Sequence, residues 1–136
     1  MQETFERSID SLGEIFDFLD LFFEESGLDA AGRYVIGMAI EEVFTNMVKY
    51  NPDGQGTILI NVQREASRAI IELTDFDSRR FDPTLRPEVD VGRPIEDRTP
   101  GGLGIHLIQK LMDEFDYEFS EGRSTIKMTK NLEGSC

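Results

Sequence analysis

The order of apolar and polar positions divides the chain into seven regular stretches and one long irregular one. Leu12, Phe16, Leu19 and Phe23 recur at spacings of three and four, the period of an amphipathic helix that Gly27 would end. Ser8 or Asp10 is suited to cap it. At roughly 100° per residue, Leu21 falls about 180° and Phe18 about 120° from that stripe, so both are expected to face away from the core. A second helical period, carried by Tyr34, Val35, Met38, Ala39, Val43 and Met47, runs from a cap at Asp29 to Tyr50. Asn51-Pro52-Asp53-Gly54 stops it. Two β-branched runs follow, residues 57–63 (TILINVQ) and 68–74 (RAIIELT), joined by the short polar stretch 64–67, and they predict an antiparallel hairpin. From Phe76 to Pro100 no period survives, and these 25 residues hold four of the five prolines, six acids and five bases. A connection of that length inside a compact domain reads as a lid or binding loop. Gly101-Gly102-Leu103-Gly104 then opens a helical run over 105–112, and two strand-like segments, 115–120 and 124–130, turn at Glu121-Gly122.

With 136 residues, 39% of them hydrophobic, the chain fits one compact domain, 1–136, built on a single core. Its 27 acids against 14 bases give a net charge of −13, which repels a phosphodiester backbone or an anionic bilayer, so no nucleic acid partner is expected. Asp17, Asp20, Glu41, Glu42 and Asn46 interrupt the longest apolar stretches, so no membrane span is expected either. A lone cysteine, Cys136, has no partner for an internal disulfide, and no secretion signal is visible at the start, which places the expected compartment in the cytoplasm. The acid is concentrated in residues 1–30, where nine carboxylates stand against one base, Arg7, alongside five of the ten phenylalanines. Exposed Phe18 and Leu21 on so acidic a helix would suit a protein contact, or else be covered by another segment of the chain.

Two constellations carry chemistry. Glu42 and Asn46 lie four apart, on one helix face that Val35, Met38 and Ala39 otherwise make apolar. They must find partners there or open onto a cleft, where a carboxamide oxygen suits a divalent cation and a carboxylate accepts a proton. The bland alternative is an ordinary solvated face. The second constellation is the glycine box 101–104. Backbone amides at the start of the helix it opens would suit a phosphate, although no Gly-Lys-Ser/Thr follows as in a Walker loop; a simple hinge is the competing reading. His106, the only histidine, lies two residues beyond the box and reads as facing solvent or the lid.

Taken in order, Glu42-Val43-Phe44-Thr45-Asn46, Leu73-Thr74-Asp75, Phe81-Asp82-Pro83, the long lid, and Gly101-Gly102-Leu103-Gly104 through Leu111-Met112-Asp113-Glu114 resemble the Bergerat-fold ATPases. More narrowly, they resemble the stand-alone anti-sigma-factor serine/threonine kinases. The resemblance implies an α/β (α+β) two-layer sandwich with helices on one face of a mixed, mostly antiparallel sheet, and ATP with Mg²⁺ as cofactors. It implies that Asn46 holds Mg²⁺, that Glu42 orients or deprotonates the attacking hydroxyl, and that Gly101, Gly102, Leu103 and Gly104 cradle the phosphates. It further implies that Asp75 accepts the adenine amino group and that the Thr125 hydroxyl supports that acid. A sigma factor and an antagonist protein bearing the target serine are the implied partners, and a homodimer is compatible with it.

One segment departs from the pattern. The family expects Asp-x-Gly before Phe-Asp-Pro, whereas this chain reads Asp75-Phe76-Asp77-Ser78-Arg79-Arg80-Phe81. Aligning Asp75 requires one extra residue; the ungapped register puts Phe76 in the acid's place and Ser78 in the glycine's. Both registers lack the glycine that gives the base room. The departure leaves a second functional reading, a non-catalytic regulatory module of the same fold with a degenerate nucleotide site.

Overall fold

The computed structural model describes residues 1–50, 56–76 and 102–132. In chain order these form strand β1 (Gln2–Glu6), a 3₁₀ turn (Ile9–Ser11), helices α1 (Leu12–Ser26) and α2 (Ala30–Tyr50), strands β2 (Thr57–Glu65) and β3 (Arg68–Asp75), helix α3 (Gly102–Leu111), and strands β4 (Glu114–Ser120) and β5 (Arg123–Asn131). The five strands make one sheet in the order β1-β2-β3-β5-β4, and every ladder in it is antiparallel. The lid expected over 76–100, apart from Phe76, the stop signal at 51–54, Gly101 and Cys136 lie outside the described residues.

Local chemistry explains most boundaries. Gly27 ends α1 in the left-handed region, at φ 68°, and its N–H bonds the Phe23 carbonyl at 3.0 Å. Asp29 caps α2 by accepting the Gly32 N–H at 2.8 Å. A Cβ at Gly32 would come within 3.2 Å of that capping oxygen, so the glycine permits the close cap. Ser8 caps the 3₁₀ turn, its Oγ taking the Asp10 N–H at 3.1 Å. The hairpin turns place Ala66 and Glu121 at φ 53° and Gly122 at φ 77°.

One face of the sheet carries the core. Ile58, Ile60, Val62, Ile71, Leu73, Ile126 and Met128 meet Ile15 and Leu19 of α1, Ile36, Ile40, Val43, Phe44 and Met47 of α2, and Ile105 and Ile108 of α3. Each large side chain so buried contributes about 1.5–3 kcal/mol. The opposite face is largely polar; its central row, read from the pairing, is Thr4, Leu59, Thr74, Thr125 and Glu118. No helix among the described residues is long and apolar enough to cross a membrane.

Helix α1 packs through a stripe that keeps Leu12, Leu19 and Phe23 of the one its spacing suggests but is shifted toward Phe18 and Phe22. Ile15, Phe18, Leu19, Phe22 and Phe23 are buried, while Phe16 is 38% and Leu21 56% exposed. Leu21 thus faces out as expected and Phe18 does not. The cause is β1, which sequence pattern misses because Phe5 is its one buried residue. Phe18 meets the Phe5 ring edge-on, with centroids 5.7 Å apart and planes at 71°. Accommodating β1 turns the helix so that Phe18 joins the core and Phe16 leaves it.

Candidate functional site

Helix α2 presents Glu42 and Asn46 one turn apart, as their spacing requires. Asn46 is 2% exposed. Its Nδ2 donates to the Glu42 carbonyl oxygen at 2.9 Å and lies 3.3 Å from Glu42 Oε1. Both contacts use the amide nitrogen, and among the described residues no donor meets Oδ1. A buried carbonyl oxygen without a donor is costly unless a ligand supplies the interaction. Burial raises the Glu42 pKa from its ordinary 4.5, and neighbouring Glu41 adds to the rise; the Asn46 hydrogen bond and Lys49 oppose it. The helix therefore offers an acceptor suited to a cation beside a carboxyl group made more basic by its surroundings.

The core-facing end of β3 places Asp75, 2% exposed, against an unexpected partner. Arg7 donates through Nε to Asp75 Oδ1 at 3.1 Å and through Nη2 to Oδ2 at 2.7 Å. Both side chains are almost wholly buried, at 2% and 3% exposure. The same Nη2 donates to the Met47 carbonyl at 2.9 Å, so Arg7 ties the chain after β1 to the end of β3 and to α2 one residue beyond Asn46. Bidentate charge-assisted bonds of this kind are strong and directional. Gly102, Leu103 and Gly104 form the first turn of α3, whose leading amides have no partner within the helix, and α3 packs against α2.

The sequence model of the histidine kinase-like ATPase domain matches residues 5–130. The chain belongs to the histidine kinase-like ATPase domain family. Over 102 residues it is 35% identical to the serine-protein kinase RsbW of Halalkalibacterium halodurans, a match covering 72% of this chain and 62% of that protein. It is 35% identical over 101 residues to the serine-protein kinase RsbW of Listeria monocytogenes, covering 70% and 63%. The chain thus spans less than two thirds of the length of these relatives. Among solved structures, the histidine kinase AdeS of Acinetobacter baumannii shares the fold, with a TM-score of 0.54 at 14% identity over 98% of this chain and 68% of that one.

A nucleotide is what this family implies, and the residues present fit it unequally. At the phosphate end the fit is good: among the described residues no donor meets Asn46 Oδ1, Glu42 stands beside it, and the leading amides of α3 have no partner within the helix. At the base end the expected acceptor, Asp75, already receives two hydrogen bonds from Arg7. Thr125 sits elsewhere than its expected role requires. It pairs with Thr74, the hydroxyls 3.2 Å apart, on the polar face of the sheet, whereas Asp75 faces the core. The residue opposite Asp75 is Ser124, 1% exposed, with the Tyr117 hydroxyl 3.4 Å from its Oγ. Sequence reading missed Arg7 and Ser124. Arg7 carried a signal, as the one base among nine acids in the first 30 residues; Ser124 carried none without the strand register.

Proposed function

We propose that this chain is an ATP- and Mg²⁺-dependent serine protein kinase that phosphorylates an antagonist protein and sequesters a sigma factor, and so regulates transcription. In this reading residues 1–136 make one ATPase domain, with 76–100 as its lid, working in the cytoplasm. The observation that carries it is the buried Asn46, whose Oδ1 meets no donor among the described residues, beside the half-buried Glu42. When bound, Mg-ATP supplies the transferable phosphoryl group together with a cation that offsets its charge. Asn46 Oδ1 would hold the cation without adding charge to it. Glu42 would orient the incoming serine hydroxyl and take its proton, a role that a raised carboxyl pKa favours. The α3 amides of Gly102, Leu103 and Gly104 would donate to phosphate oxygens. Similarity to two serine-protein kinases supports the choice of acceptor.

The partner surface proposed is the outer face of α1, where Leu21 is exposed among Asp17, Asp20, Glu24 and Glu25, all exposed as well. A basic protein with an apolar residue at its centre complements it.

Isothermal titration with Mg-ATP, followed by phosphoryl transfer to a purified antagonist, tests the reading. Binding should be seen at or below millimolar nucleotide, and Glu42→Ala and Asn46→Ala should each suppress transfer while remaining folded. Absence of binding at millimolar nucleotide, or unchanged transfer in either variant, overturns it. The Arg7–Asp75 pair favours a second reading, a non-catalytic regulatory module, which the same titration separates from the first.

A further inference from the structure

The two ends of the candidate site are built to different standards, and the difference lies in one residue. At the phosphate end, no donor among the described residues meets Asn46 Oδ1, and the Glu42 carboxyl stands beside it. At the base end, the Asp75 carboxylate meets the planar fork of a guanidinium, one N–H to each oxygen, at 3.1 and 2.7 Å. The pair is screened from water on all sides, with 2% and 3% of the two side chains exposed. A third bond, to the Met47 carbonyl, fixes the guanidinium from the α2 side. Arg7 thus does to Asp75 what an adenine amino group would do, donating to a carboxylate in a buried setting, but with two donors and a full charge. A neutral exocyclic amine is the weaker competitor for the same oxygens, since it brings neither the positive charge nor the planar two-donor fork of the guanidinium. The sequence departs at the same place, with Phe76-Asp77-Ser78 lacking the glycine that would let a base lie against the backbone.

We infer that Arg7 is a specificity-determining residue of the nucleotide site: it occupies the carboxylate that would read the purine edge, so the site holds nucleotide by its phosphates and does not distinguish an amino group from an oxo group on the base. The inference rests on the nucleotide-binding reading given above. It predicts that Mg-ATP and Mg-ITP, which differ at that one position of the purine edge and at the neighbouring ring nitrogen's proton, bind alike.

Isothermal titration of the intact chain with each nucleotide tests this directly. The wild-type protein should bind the two with dissociation constants within about threefold, against the far larger discrimination of sites built to hydrogen-bond a ligand group. Arg7→Met, titrated well below its unfolding temperature with its fold checked by circular dichroism, should gain a preference for ATP of at least about tenfold, because the oxygens that took the two guanidinium N–H groups then accept the amino group. Arg7→Met/Asp75→Leu, whose buried pair is replaced by apolar groups, should lose that gain. A wild-type protein that prefers ATP by tenfold or more overturns the inference and leaves nucleotide binding intact, as does a folded Arg7→Met whose ratio stays within threefold. If neither nucleotide binds either protein at millimolar concentration, the nucleotide-binding reading itself fails and takes the inference with it.

Discussion

Removing Arg7 should destabilise the fold more than any surface change, and the size of the effect follows from burial. In Arg7→Met the Asp75 carboxylate, 3% exposed, keeps its buried position and loses both bonds from the guanidinium. Leaving one member of a buried ion pair without its partner costs about 3–5 kcal/mol. The Met47 carbonyl also loses a donor at 2.9 Å, which adds to the cost. With an m-value near 2 kcal/mol/M, that corresponds to a fall of about 2 M in the urea midpoint. The exposed pair Arg68–Glu65, 3.8 Å apart with side chains 49% and 55% exposed, supplies the internal comparison. Arg68→Ala should change stability by less than about 0.5 kcal/mol, because solvent screens that pair. The double variant Arg7→Met/Asp75→Leu should recover most of the loss, since apolar groups replacing a buried pair are often neutral or stabilising. Urea unfolding followed by circular dichroism, run as a double-mutant cycle, measures all three. An Arg7→Met loss no larger than that of Arg68→Ala, or a coupling below about 1 kcal/mol, would show that the pair is not the buried clamp described.

Other expectations follow from the same geometry. Glu42→Gln should raise stability at neutral pH, because folding holds the ionised carboxyl in a place that disfavours it. That advantage should stay level above the raised pKa and shrink as pH falls through it towards the ordinary 4.5, as read by melting temperature across a pH series; an advantage that grows with acid would contradict the burial argument. Phe18→Ala should cost about 3–5 kcal/mol by opening a cavity against Phe5, whereas Leu21→Ala should stay within about 0.5 kcal/mol; equal losses in denaturant unfolding would refute the packing of α1. Reversing charge at Asp17 and Asp20 should weaken binding to the proposed protein partner and flatten its salt dependence, and unchanged affinity in a titration series would remove α1 as the proposed docking surface.

The elements whose own residues declare them were legible from the chain. Asp29, Gly27 and the β-branched runs mark α2, the end of α1 and the β2–β3 hairpin through local chemistry, and each boundary falls within two residues of its reading. Strand β1 was not legible, because an edge strand with one buried residue shows neither alternation nor apolar content. Its absence from the pattern reading propagated, since the orientation of α1 depends on what Phe18 can reach. The Glu42–Asn46 pair was legible for the opposite reason: a fixed helical period places both residues without reference to any other element. Asp75 was singled out only through the family resemblance, without its partner 68 residues earlier, and that Ser124 rather than Thr125 lies opposite it is a one-residue parity that only the β3–β5 register decides.

In the proposed function, the buried Asn46 carboxamide on α2 holds the cation that accompanies a nucleotide. Titrating Mg-ATP into wild-type protein and Asn46→Ala, each with and without Mg²⁺, tests it most directly. Magnesium-dependent binding by the wild type, weakened at least about tenfold in a folded Asn46→Ala, is the predicted result. Equal binding by the two proteins, or binding indifferent to Mg²⁺, would contradict it.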